Sequence, residues 1–299
     1  MSKRVLVLGG NGFVGRHAVA ALLERNPAHL VIGTRASSAR IDGLEEISIN
    51  LHQRLSIDDW RETTAEFDVI LNCVGILRPV GQATYDRVHH LAPKALAGAC
   101  KQSGATFIHV SALALQSRYR SRFLTSKQAG EAAISTSGCR WMIVRPSLLD
   151  GEGGFGASWL RGVSRSPVFA VPMDAGGRIA ALTATDLGVA LATLCLAPPE
   201  DLGTDQARTL EFGGLEAFPF KDYVLGLRRR YTPRPALAIP IPGMLARLGA
   251  HLCDLLHFSP FSFGHWELLR NDNVPAPNRL PEILGRAPMR VINPRVDDR

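Results

Sequence analysis

The chain opens on a continuous apolar run, 4–8, rich in valine and leucine, as expected of a strand buried on both faces. A glycine-rich turn follows, and 16–25 then carries Val19, Leu22 and Leu23 at helical spacing. Residues 30–34, 68–74, 107–111 and 141–144 read as further buried strands. Helices are predicted at 85–103, stopped by Gly104, at 125–135 and at 183–196. Strands alternating with helices of this length predict a doubly wound parallel sheet with right-handed crossovers.

After Pro146 the texture changes. The stretch 150–156 (DGEGGFG) holds too much glycine for either regular element. From Pro198 onward prolines recur and separate short elements. The expected architecture is therefore α/β. A Rossmann-type doubly wound domain takes 1–150 plus 180–200, and a small, irregular, α-rich substrate or partner region takes 151–179 and 201–299.

Composition adds bounds. A chain of 299 residues with 46% hydrophobic content buries a sizeable core, which excludes a mainly disordered protein. Thirty-four basic against 27 acidic residues leave a net charge of +7, which permits attraction to phosphates or an anionic membrane surface without requiring either. The five cysteines (Cys73, Cys100, Cys139, Cys195, Cys253) form no C-x-x-C pair, which excludes common zinc and thioredoxin-like signatures. Reduced thiols and a cytoplasmic location are the expectation. The basic start runs into a short, glycine-rich segment unlike a signal peptide, and the apolar stretch 179–197 is interrupted by Asp186.

The first chemistry lies in the turn Gly9-Gly10-Asn11-Gly12-Phe13-Val14-Gly15, a G-x-x-G-x-x-G between the first strand and the first helix. Gly9 permits the tight turn, Gly12 lets the backbone approach a pyrophosphate, and Gly15 lets the helix pack close to the sheet. The N–H groups that open the helix, from Phe13 and Val14 onward, offer partial positive charge to the phosphates. At the end of the second strand, where NAD binders carry a carboxylate, stands Arg35, with Arg40 further on and Arg16 in the first helix. An arginine pairs with a 2′-phosphate that a carboxylate would repel, so NADP(H) is expected in preference to NAD(H).

The segments VLGGNGFVGRH (7–17), DVILNCVG (68–75), FIHVSALAL (107–115), SKQAGE (126–131) and IVRPSLLDG (143–151) resemble the short-chain dehydrogenase/reductase superfamily in its extended or atypical, epimerase/dehydratase-like branch. Within that branch, YDRVHHLAPKALAGACKQSG (85–104) and WELLRNDNVPAP (266–277) are similar to the nucleotide-binding accessory subunit of respiratory complex I and its bacterial relatives. The resemblance implies that a tyrosine four residues before a lysine does acid/base work, with the lysine on the nicotinamide ribose and a serine orienting the substrate. Lys127 matches the lysine, but Phe123 stands where the tyrosine belongs. Tyr119 lies eight before Lys127 and reaches the site only if the intervening loop folds back. Ser111 ends the fifth strand, while Ala112 and Leu113 occupy the usual serine positions. The resemblance also places Val74 and Gly75 along the cofactor, Pro146 with Ser147 against the nicotinamide, and His89 at a position the family fills with asparagine.

Other features have plainer explanations. Asp58-Asp59 reads as helix capping rather than a metal pair. The run Arg228-Arg229-Arg230 reads as a solvated helix end, with no nucleic-acid recognition motif beside it. In 239–263, Met244, Leu245, Leu248, Leu252, Leu255 and Leu256 recur at helical spacing, followed by Phe258, Phe261 and Phe263 around Pro260. The readings are a core helix, or an apolar surface for a lipid-like substrate, a quinone or a membrane-associated partner. The first functional expectation is an NADPH-dependent reductase of a quinone, carbonyl or lipid-like substrate, with a degenerate Tyr/Ser pair. The second is a non-catalytic NADPH-binding assembly factor of a respiratory membrane complex, peripheral at the inner membrane. Nucleotide-sugar epimerisation or dehydration comes third, and whether the chain turns over stays open.

Overall fold

A computed structural model of the chain describes residues 3–35, 43–113, 115, 119–196, 209–256 and 261–292. The elements run β1 (Arg4–Leu8), α1 (Phe13–Leu23), β2 (His29–Thr34), β3 (Glu45–Ser48), α2 (Arg61–Ala65), β4 (Val69–Asn72), α3 (Ala92–Ser103), β5 (Thr106–Val110), α4 (Arg122–Ser135) and β6 (Arg140–Pro146). Then come β7 (Leu149–Asp150), α5 (Phe155–Arg165), β8 (Val168–Pro172), β9 (Arg178–Ile179), β10 (Leu182–Thr183), α6 (Ala184–Leu196) and β11 (Thr209–Phe212). The last are β12 (Phe218–Pro219), α7 (Phe220–Arg229), β13 (Leu237–Ile241), α8 (Gly243–Leu256), α9 (Phe263–Leu269) and α10 (Leu280–Leu284).

Seven strands form the main sheet in the order β11-β6-β5-β4-β1-β2-β3. Every pairing from β6 to β3 is parallel, so the chain folds as the doubly wound α/β sheet its alternating periods predict. Leu8 sits in register with Asn72, and Asn72 with His109. The turns that follow β1, β4 and β5 consequently lie side by side on one edge, where the strand order reverses. That is the crevice in which open α/β sheets take ligands.

The described residues fall into two compact units. The first comprises Met1–Ala112, Arg122–Arg145 and Thr185–Leu210. Its core is built by fully buried side chains from the sheet, among them Leu6, Leu8, Ile70 and Phe107, against Trp60 and Leu96. The second comprises Leu113–Ser121, Pro146–Ala184 and Glu211–Arg299. There Leu160, Phe169, Ile179, Phe220, Tyr223 and Leu227 make a separate core with Val291 and Ile292. No helix among the described residues is long and apolar enough to cross a membrane.

The structure departs from the sequence reading in several places. Helix α1 begins at Phe13 rather than 16, because the glycine turn itself closes onto the helix as its cap. Strand β3 was not expected: Glu45-Glu46-Ile47-Ser48 is a half-polar edge strand without a buried face on both sides. Helix α4 begins before 125, and the helix expected at 85–103 is a π-helical turn, Arg87–Leu91, running into α3. Asp58 pairs with Arg61, while the carboxylate of Asp59 accepts the Ser56 N–H, so both acids serve local structure. Arg40, Phe258 and Pro260 lie outside the described residues.

The expectation for Arg228 is corrected. It is buried, and its guanidinium donates to the carbonyls of Ser164 (3.0 Å), Arg165 (2.9 Å) and Ser166 (2.8 Å), and to those of Arg234 and Pro235. The last carbonyls of a helix lack partners, and a cation that satisfies them at the end of α5 is held in place of water. Arg230 is likewise paired, with Asp150, which also takes Arg161. Arg228→Ala leaves these acceptors buried and unpaired, so urea unfolding should show a loss of about 3 kcal/mol. The exposed neighbour, Arg229→Ala, should stay within about 0.5 kcal/mol of the parent.

Candidate functional site

The turn after β1 is held by its own backbone. Gly9 has φ +74°, its N–H donates to the Gly33 carbonyl at 2.7 Å, and its carbonyl accepts the Gly12 N–H at 2.9 Å. A Cβ on Gly15 would lie 2.0 Å from that same Gly9 oxygen, so α1 can approach β1 only with glycine there. Gly10 is equally constrained, since a Cβ would fall 2.6 Å from Ile32 Cγ2. Gly12 caps α1 with no side-chain hydrogen bond, and no acidic residue stands in the first turn. The N–H groups of Phe13, Val14 and Gly15 therefore start the helix with its positive end uncompensated. A dinucleotide pyrophosphate fits this cradle.

Along the same edge, Asn72 ties β4 to β5. Its Oδ1 accepts the Val74 N–H at 3.0 Å, and its Nδ2 donates to His109 Nδ1 at 3.1 Å. Val74 leans against Gly9, and the space beside Gly75 borders His89 and Lys127. Ser111 donates its N–H to Val144 at 2.8 Å, but its buried Oγ has no protein partner. Buried hydroxyls are rarely left so. Arg35 is exposed immediately after β2. Beside that strand end, Glu46 on β3 brings a carboxylate within 3.5 Å of Thr34 Oγ1.

Helix α4 puts Phe123 and Lys127 one turn apart, with the Lys127 ammonium 5.7 Å from the Phe123 ring centroid. The Phe123 ring packs edge-on to Tyr85 and His89, each at 5.7 Å, and the Tyr85 hydroxyl donates to the Leu77 carbonyl at 2.8 Å. The position where the resemblance implies a tyrosine is thus filled by packed carbon that cannot exchange a proton. His89 is pinned as well. Its Nε2 accepts the Ile76 N–H at 3.1 Å, so its proton sits on Nδ1, 3.0 Å from Ser126 Oγ, which donates on to the Phe123 carbonyl. Burial first, then the charge of Lys127, holds His89 well below the usual imidazole range. A ring that is neutral and committed at both nitrogens is a structural residue, not a base.

Lys127 is half-buried, and desolvation lowers it to about 8, against the opposing charge of Glu131 one turn on. Glu131 is itself clamped by Arg145, with Nε to both carboxylate oxygens at 3.1 Å and a second nitrogen at 2.6 Å. Gly130 lets α4 touch the π-helical turn, because a Cβ would strike the His89 carbonyl.

In the second unit, Tyr119 is buried in the loop before α4, whose next two N–H groups, of Arg120 and Ser121, donate to Glu267 at 3.0 and 2.9 Å. The helix does not extend to Tyr119. Pro146 closes β6 with its carbonyl accepting the Leu113 N–H, and the Ser147 hydroxyl donates to the Asn273 carbonyl at 2.7 Å. The same unit holds an open cleft of about 110 Å³ whose walls include Trp159, Ile179, Phe220, Phe261 and Leu268. Its polar lining comes from His265 and Asn273, and Asn273 Oδ1 is buried without a hydrogen-bond partner.

Residues 9–161 match the family model described as NAD(P)H-binding. The chain belongs to this NAD(P)H-binding family. Its fold is that of the extended short-chain dehydrogenases and reductases. Over 287 residues, 91% of this chain and 86% of the relative, it is 26% identical to the ceramide reductase of Caulobacter vibrioides (strain NA1000 / CB15N). Over 153 residues, it is 28% identical to the mouse (Mus musculus) mitochondrial NADH dehydrogenase (ubiquinone) 1 alpha subcomplex subunit 9, covering 49% of this chain and 40% of that protein. Among solved structures, the triphenylmethane reductase of Citrobacter sp. complexed with NADP(H) superposes with a TM-score of 0.70 at 14% identity, covering 95% of this chain and 96% of that one.

Within this NAD(P)H-binding fold, sequence reasoning missed the Asn72–His109 tie, Gly10, Gly130 and the clamp on Glu131. Spacing carries no signal for the first, a contact between strands. Gly130 was visible in SKQAGE but had no evident neighbour. His109 is held neutral at about 3, chiefly by burial. Its folded pKa lies below the unfolded value near 6.5, so the unfolded chain takes up the proton first, and stability falls as the pH drops through that interval. His89 acts in the same direction, while Lys127 is protonated in both states below about 8 and adds no slope there. Urea unfolding from pH 7 to 5 should lose stability, and His109→Gln should flatten the curve by up to about 1.4 kcal/mol per pH unit.

Proposed function

We propose that the chain is an NADP(H)-dependent reductase of a carbonyl group on a lipid-like, ceramide-type substrate. The observation that carries this reading is the cleft of the second unit, apolar along its walls and with His265 and Asn273 as its polar lining. Similarity to a ceramide reductase along nearly the whole chain supports the same substrate class. A nucleotide sugar would need a polar lining that the cleft lacks.

The cofactor would be held by the backbone of Gly9, Gly12, Phe13, Val14 and Gly15 at its pyrophosphate and by Val74 and Gly75 along its adenosine side. Ser111 and Lys127 would take the nicotinamide ribose, and Pro146 the ring. Arg35, with Arg40, supports the preference for NADP(H), as a guanidinium pairs with a 2′-phosphate in two parallel bonds. When bound, the cofactor supplies a hydride to the carbonyl carbon. The carbonyl oxygen then needs a proton, and neither Phe123 nor the neutral, committed His89 gives one. Lys127, at about 8, is an ammonium at neutral pH acidic enough to do so while holding the ribose. Tyr119 is the phenol proposed from the loop.

NADPH oxidation with a long-chain keto lipid tests this. Lys127→Ala should lower kcat by about 10²-fold or more, and Tyr119→Phe should stay within a few-fold if Lys127 is the donor. Asn273→Ala should raise KM with NADPH binding unchanged. Equal rates for the parent and Lys127→Ala would remove the catalytic claim.

A second reading is favoured by Phe123 itself and by the half-length similarity to the mouse respiratory-complex subunit. It makes the chain a non-catalytic NADPH-binding assembly protein at a membrane complex. Bound NADPH would then stabilise the fold by about 2.7 kcal/mol at a hundredfold excess over Kd, without turnover.

A further inference from the structure

Helix α8 is turned the wrong way round for a helix in water. Its small residues Ala246 and Ala250 pack inward against Trp266. Its large ones point out: Met244 is 79% exposed, Leu255 75%, Leu256 63%, Leu248 57%, Leu245 53% and Leu252 46%. At 3.6 residues per turn these six fall on a single stripe opposite the buried side. Leu237 and Ile239 of the preceding strand β13 are exposed as well, at 61% and 42%.

We infer that this stripe docks on an anionic lipid bilayer. The charges beside it fit that occupant. Arg247 on α8 and Arg234, three residues before Leu237, are exposed. The acid of the helix, Asp254, spends its carboxylate on the Phe263 N–H at 2.9 Å, and Asp174, which faces Gly243 at the start of α8, is paired with Arg270 at 3.4 Å. The whole chain carries +7. An interfacial helix combines a broad aliphatic face with flanking cations, and each cation near an anionic surface adds to the attraction. The stripe is leucine and methionine without Trp or Tyr, whereas anchors of protein interfaces are enriched in Trp, Tyr and Arg, and leucine is scarce among them.

The inference deepens the reductase reading, on which its second step rests. The inner side of α8 seats on α9, and His265, Leu268 and Leu269 of α9 line the apolar cleft. Docking by α8 therefore brings the cleft to within about one helix diameter, ~10 Å, of the lipid. A bilayer-resident substrate reaches it without crossing bulk water.

Flotation of the full-length protein with vesicles of phosphatidylcholine alone, and of equimolar phosphatidylcholine and phosphatidylglycerol, tests the docking without turnover. The parent should float with the anionic vesicles. Leu248→Glu/Leu252→Glu/Leu255→Glu should weaken binding at least about tenfold, and Arg234→Glu/Arg247→Glu should weaken it in a salt-dependent way. The triple variant changes exposed positions, so NADPH binding and urea unfolding should match the parent and report an intact fold. Failure of the parent to bind anionic vesicles, equal binding by the triple variant, or concentration-dependent self-association that the triple variant abolishes would each overturn the inference. Vesicle binding with no reduction of any carbonyl would uphold the docking and remove only the delivery of substrate.

Discussion

The contact on which the rest depends is the one between α1 and the strand it leaves. The Gly9 carbonyl sits where a Cβ on Gly15 would be, so the helix can close onto β1 only because that atom is missing. The same closure turns Gly9 to positive φ, caps α1 with bare backbone and aims the helix N-terminus at the crevice where the strand order reverses. Strand–helix packing, glycine spacing and an uncompensated helix N-terminus meet at one turn. A side chain at Gly15 would disturb all three together.

Around that cradle stand the residues proposed to hold a dinucleotide, and Phe123 fills the place where the resemblance to short-chain dehydrogenases puts a tyrosine. Phe123 is locked by Tyr85 and His89, and His89 by Ile76 and Ser126, so the aromatic cluster is rigid and uncharged. Lys127 is the ionisable group set beside it. Its environment pulls it toward neutrality, while Glu131, clamped by Arg145, keeps the charge from being lost altogether. On the proposed reading, Lys127 is the cation that a developing alkoxide would meet there.

Much of this was legible in residues 1–150, because buried parallel strands and a glycine turn write their constraints locally. The apolar run at 4–8 and the glycines at 9, 12 and 15 each sit where periodicity and spacing predict, and Lys127 stands on α4 where the resemblance puts it. What the sequence hid depends on partners distant along the chain. Arg228 looked like part of a solvated basic run and is buried under five carbonyls, since nothing nearby announces that α5 ends against it. Strand β3 is half-polar, and the π-helical turn at 87–91 has the same hydrophobic spacing as an ordinary helix. In 239–263 the spacing identified a helix but not which way it faces, because an apolar stripe reads alike whether it meets a core or a membrane.

The central claim is that bare backbone at the first turn grips a dinucleotide. Calorimetric titration of the parent and of Gly15→Val with NADPH and NADH tests it most directly. The parent should bind saturably and one to one, more tightly with NADPH, and a Gly15→Val variant that still folds should not bind. No heat with either dinucleotide, or equal binding by the two proteins, would contradict it.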